Sequence, residues 1–155
     1  MSFQRGLNRD LPRGVAGDFA STNPRNSILA GEASLRTFEA IKVGGFAFAD
    51  LTTGLVYEDY NTGRVIGFVH RNNQAVVPLG QAASMLIPAG KEIALFSNGD
   101  FYAIAPAAVL PGAAVYALEV DGSIAVTADN AQPTNFKFAE AAASGALVKI
   151  TRFSI

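Results

Sequence analysis

His70, in the run Gly67-Phe68-Val69-His70-Arg71, is the only histidine among the 155 residues and the only side chain that ordinarily titrates near neutral pH. Work as a general base would need a nucleophile and an orienting acid beside it, and no Gly-x-Ser-x-Gly elbow or comparable pairing occurs. His70, with Arg71 next to it, therefore reads as a structural or interface residue. Glu58-Asp59, flanked by Tyr57 and Tyr60, could supply carboxylates on a stacking platform for a sugar. Neighbours on a strand point to opposite faces, however, and the group lies just before the turn signal Asn61-Thr62-Gly63, so a solvated loop is the simpler reading. Asp100 is the remaining carboxylate that hydrolytic chemistry could use, and it too has no evident partner. No phosphate-binding Gly-x-x-x-x-Gly-Lys-Ser/Thr or Gly-x-Gly-x-x-Gly is present, and Gly44-Gly45 reads as a bulge or a close backbone approach. With no Cys and one His, disulfides, thiolate metal sites and an all-imidazole zinc site are excluded within one chain. The expectation is no catalytic set, no metal and no cofactor.

The elements that hold these residues follow from composition. Half the chain is hydrophobic, 16% is charged and the mean hydropathy is +0.25, which excludes disorder and indicates one folded core. Twelve Lys and Arg against thirteen Asp and Glu leave a net charge of -1, with no field to hold a polyanion, so nucleic acid is not expected as a partner. Phe101 to Leu118 is eighteen residues without a charge, but Pro106, Pro111 and Gly112 would break a spanning helix; the segment predicts two short strands joined by a turn, and no membrane partner. Met1 to Arg13 has no continuous apolar stretch and does not fit a secretory signal.

Up to Leu35 the chain is punctuated by Gly6, Pro12, Gly14, Gly17, Pro24 and Gly31 and matches no helical or strand period. Its first thirty residues hold Arg5, Arg9, Arg13 and Arg25 against Asp10 and Asp18, a local +2 on a chain whose remainder is -3. Val15, Phe19, Ile28 and Leu29 are apolar residues that a solvated tail does not need. Residues 1–35 therefore read as an extended docking arm, mobile until it meets an acidic protein surface, and 36–155 as an antiparallel β domain.

From there on, short runs rich in Val, Ile, Phe and Tyr alternate with Gly, Pro, Asn and Asp. Strands are expected at Ile41–Ala49, Val65–Arg71, Ser84–Ile87, Glu92–Ser97, Asp100–Ala105, Ala114–Val120, Ser123–Thr127, Asn135–Ala141 and Leu147–Phe153. Asn98-Gly99 and Asp121-Gly122 predict two hairpins, the first as a two-residue type I′ turn. The fold class is all-β: a small antiparallel β-barrel or jelly-roll-like sandwich with an extended N-terminal arm. Its core should draw on Val43, Phe46, Phe48, Phe68, Leu86, Ile93, Leu95, Phe101, Ile104, Val115, Tyr116, Ile124, Val126, Phe138, Val148 and Ile150. Phe101–Ala105 and Ala113–Leu118 are apolar on both faces, which suggests a subunit or carrier interface.

Val15-Ala16-Gly17-Asp18-Phe19-Ala20-Ser21-Thr22-Asn23-Pro24-Arg25 followed by Leu29-Ala30-Gly31-Glu32 resembles the N-terminal signature of the tailed-bacteriophage structural cement (capsid decoration) proteins. The likeness continues through Gly67–Arg71, Ile87-Pro88-Ala89-Gly90, Asn98–Tyr102 and Leu147–Ile150, and departs at Phe136-Lys137-Phe138, where an aromatic such as Trp is expected. What the resemblance implies is a homo-oligomer, a dimer in preference to a trimer, on the outer surface of the phage head. There it would bridge subunits of the major capsid protein and hold the expanded shell. It places the capsid-binding arm at Gly17, Asp18, Phe19, Asn23, Pro24 and Arg25, with His70 and Arg71 as candidate interface residues. The alternative is a phage-surface carbohydrate-binding or host-adhesion module that uses Tyr57 and Tyr60.

Overall fold

The computed structural model describes residues 13–31, 34–71 and 85–153; Arg5, Arg9, Glu32 and Ser84 lie outside them. The described residues form thirteen strands and no helix. The larger sheet, in spatial order, contains β1 (Asn26–Ser27), β8 (Leu95–Asn98), β6 (Val65–Val69), β4 (Phe46–Asp50), β5 (Leu55–Tyr57) and β2 (Arg36–Thr37). The second contains β11 (Ile124–Ala125), β10 (Ala114–Leu118), β12 (Ala131–Phe138), β13 (Leu147–Thr151) and β9 (Asp100–Ile104), and β3 (Ile41–Lys42) pairs with β7 (Leu86–Ile87) in a small third sheet. All pairings are antiparallel except β2 with β5. The result is a sandwich; neither large sheet closes on itself, so the barrel form of the expectation is corrected.

The period of two explains the layering. Along β4 the side chains of Phe46 and Phe48 enter one apolar cluster with Phe68, Phe101, Phe136, Phe138, Val148 and Ile150, while Ala47 and Ala49 enter a second with Leu35, Ile41, Val56, Val69, Ile87 and Leu95. The first cluster fills the space between the large sheets. The second lies on the other face of the larger sheet and includes residues of β3 and β7. Burial of β4 on both faces is thus achieved within the chain. Phe136 and Phe138 are both buried while Lys137 between them is exposed, so the departure at this run leaves the alternation intact.

Phe101–Leu118 forms β9, a connection and β10, as two strands joined by a turn. The Asp121-Gly122 hairpin is present, with Tyr116 opposite Ala125 and Ala117 opposite Ile124. The Asn98-Gly99 hairpin is not. β8 pairs with β1 and β6, β9 pairs with β13, and the chain crosses from one sheet to the other at Gly99. Gly99 has φ +139, outside the geometry of a tight primed turn, and its missing side chain leaves room for the Phe101 ring. Of the expected core, Leu86, Ile104 and Val126 are exposed and Tyr116 is half-buried. Ile104 falls on the outward register of β9, between inward Ala103 and Ala105.

Candidate interface site

The segment after Arg13 runs antiparallel to the crossing stretch 95–102 and borders both large sheets. Gly17 N–H donates to the Tyr102 carbonyl (2.8 Å), Tyr102 N–H to the Asp18 carbonyl (2.9 Å), Ala20 N–H to the Asp100 carbonyl (2.9 Å) and Ile28 N–H to the Leu95 carbonyl (2.7 Å). Arg71 N–H donates to the Gly17 carbonyl (2.9 Å). Phe19 and Ile28 explain why this happens: both are packed against the apolar clusters, and Ile28 reaches the space a side chain on Gly67 would take. In the described residues the backbone of this segment is paired along two strand edges. Gly17 itself is buried with φ +93, and a β-carbon there would run into the Val43 side chain, so no other residue allows this approach.

Phe19 organises the rest. Its ring stacks on His70 with centroids 3.9 Å apart and planes at 23°, and the Arg25 guanidinium carbon lies 3.8 Å from the ring centre. Two groups that close to one ring centre must occupy opposite faces. Phe96 meets Phe19 (5.5 Å) and His70 (5.7 Å) edge-on, and Phe101 lies 5.5 Å from Phe19. Each aromatic pair contributes about 0.5–1.5 kcal/mol and an exposed cation–π contact about 0.5–1 kcal/mol. Asp18 closes a turn by accepting from Val15 N–H (3.0 Å) and pairs with Arg71 at 3.7 Å, both side chains being well solvated. Asp100 Oδ2 accepts from Ser21 Oγ and Asn23 Nδ2, each at 2.6 Å, while its buried Oδ1 has no partner among the described residues. Burial holds His70 below its ordinary value of 6.5; Asp18 opposes that shift and Arg25 adds to it.

The two groups of residues singled out from sequence thus meet in one place. Gly17 touches Arg71, Asp18 pairs with Arg71 and Phe19 stacks on His70. Gly17 and Phe19 are turned into the body, whereas Asn23, Pro24 and Arg25 are exposed. The residues that hold them, Phe96, Tyr102 and Val43, were not among the candidates; the aromatic density of Phe96, Phe101 and Tyr102 around Asn98-Gly99 was the available signal. The sugar platform is not assembled. Tyr57 lies against Phe38 (4.9 Å) and under the Arg64 guanidinium (3.6 Å), and Tyr60 packs on Phe48 in the core (5.4 Å). Asp59 is paired with Arg64 at 3.0 Å, and Glu58 is raised by burial and then by Glu39, Asp121 and Asp59. Among the described residues no three His, Cys, Asp or Glu gather in a metal-binding group, and no helix is long and apolar enough to cross a membrane.

The family described as XM1 gp53 minor capsid protein matches residues 3–152. The chain belongs to this minor capsid protein family. It is therefore a phage capsid structural protein. A chain in the solved capsid of Myoviridae phage XM1 shares the fold, with a TM-score of 0.65, 17% identity and 98% of each chain covered. The head fiber gp8.5 N base of bacteriophage phi29 aligns with a TM-score of 0.40 and 15% identity over 85% of this chain and 98% of that one. No curated protein matches the chain.

Proposed function

We propose that this minor capsid protein is a cement, or decoration, protein: it sits on the outer surface of the head, bridges major capsid subunits and stabilises the expanded shell without catalysing a reaction. The observation that carries the reading is the exposed tip Asn23-Pro24-Arg25 on a segment whose two ends are hydrogen-bonded to the body. A pre-ordered tip loses little conformational entropy when it docks, so its few contacts convert efficiently into affinity. Arg25 is held over Phe19 and has no carboxylate partner among the described residues, which suits an acidic capsid surface. Gly17, Asp18 and Phe19 then serve the interface by holding the tip, and His70 and Arg71 by holding Gly17 to Phe19. The protein would act as a homo-oligomer, a dimer in preference to a trimer, which sedimentation distinguishes.

Stabilisation would follow mass action: a ligand of the assembled shell alone contributes about 2.7 kcal/mol per site at a hundredfold excess over Kd. Purified protein added to undecorated expanded heads is expected to bind stoichiometrically and raise their rupture temperature; absence of binding overturns the reading. Arg25→Glu should weaken that binding, more at low salt than at high salt because screening reduces the lost attraction. Equal loss at both ionic strengths would remove the electrostatic role of Arg25.

A further inference from the structure

We propose that the His70–Phe19–Arg25 stack is a proton-operated latch, in which protonation of His70 loosens residues 17–25 from the edge of β9 and from Arg71. The inference concerns the free chain and does not depend on the capsid-docking role. Phe19 is the aromatic anchor of this segment, and its two faces are taken by a permanent cation and by the chain's one imidazole. A charged His70 would place a second cation across the same ring, half-buried against Phe96.

The groups that could accommodate that charge are already engaged. From the arm, Asp18 faces His70 but is paired with Arg71, while Arg25 repels the new charge. From the strand end after β6, Arg71 is a further cation. From β8, Phe96 brings no charge, and from β9, Asp100 is bonded to Ser21 and Asn23. The docked state consequently keeps His70 neutral through burial, and a loosened state, with the imidazole in water, takes up the proton more readily. Because the loosened state binds more protons, docking is favoured at high pH; the His70 contribution is fully present above 6.5 and is lost as pH falls below it through the lowered docked value.

The single histidine makes the test direct: its imidazole resonances in the full chain can be followed from pH 8 to pH 5 together with amide-exchange protection. His70 is expected to titrate below 6.5. Protection at Gly17, Ala20, Tyr102 and Arg71 should fall over the same window, by about tenfold for each unit that separates the docked from the free value, while Leu118 and Phe138 stay protected. His70→Phe keeps an aromatic stack without the proton and should make arm protection independent of pH. Arg25→Gln should raise the His70 midpoint. Titration at or above 6.5, the same pH-dependent loss in His70→Phe, or no movement of the midpoint in Arg25→Gln would overturn the latch.

Discussion

Gly122→Ala is expected to destabilise the fold by about 2–5 kcal/mol, the sum of about 1–2 kcal/mol for a left-handed conformation forced on alanine and about 1–3 kcal/mol for a buried backbone donor left unpaired. Gly122 closes the turn after β10 with φ +64, its N–H donating to the Leu118 carbonyl (2.9 Å). Its own carbonyl accepts from Phe46 N–H (2.8 Å), joining this turn to the start of β4 in the other large sheet. A β-carbon at Gly122 would fall on the carbonyl oxygen of Phe46, so the new methyl must either part the two sheets or turn the loop over. Gly112→Ala is the control. It shares a positive φ, +86, but meets nothing within 4 Å, so only the conformational cost of about 1 kcal/mol remains. Urea midpoints at unchanged slope measure both, and equal losses would show that the Phe46 contact is unimportant.

Phe101→Ala should cost a similar 3–5 kcal/mol, for a different reason: it opens a cavity in the part of the core where the arm and both large sheets come together. The Phe101 ring is fully buried, stacked on Phe68 at 4.4 Å, and near Phe96 (5.6 Å), Phe136 (6.0 Å) and Phe19 (5.5 Å). Phe68 belongs to one large sheet and Phe101 to the other, so the change removes a contact that spans the sandwich as well as support beneath Phe19. Leu110→Ala, at a residue 71% exposed, should stay within about 0.5 kcal/mol. Since a domain is stable by only about 5–15 kcal/mol in total, Phe101→Ala should shift the urea midpoint far more than any exposed apolar substitution.

The contrast between Asp121-Gly122 and Asn98-Gly99 shows where sequence reasoning carried and where it stopped. Both dipeptides favour a tight turn between apolar runs. At Asp121 the neighbouring strands have matching partners in one sheet, and the hairpin forms. At Asn98 the preceding strand pairs Phe96 with Phe68 and the following one pairs Phe101 with Ile150, partners distant in sequence that draw the two strands into different layers. Local propensity has no knowledge of those pairings. The strands β1, β2 and β5 are two or three residues long and were not anticipated; β3, β7 and β11 are as short but lie inside longer apolar runs, and β4, β6, β9, β10 and β13 are long enough to display a period. That the stretch up to Leu35 is more than a solvated tail was legible from Val15, Phe19, Ile28 and Leu29, whereas the narrower bounds Gly17 to Arg25 came from the family resemblance. The attachment of these residues to His70 and Arg71 was not legible, since it depends on a crossing at Gly99 that the turn signal concealed.

The ends of the two large sheets have a consequence for behaviour at high concentration. β1, β2 and β11 are two residues long, β1 carries a register shift and follows Pro24, and β9, the one long terminal strand, is paired along part of its length with residues 17–20. Short, irregular or occupied borders give a neighbouring molecule little backbone on which to grow a fibre. A strand-rich chain built this way resists open-ended polymerisation, and self-association is steered toward contacts between side chains, which can close into a defined assembly.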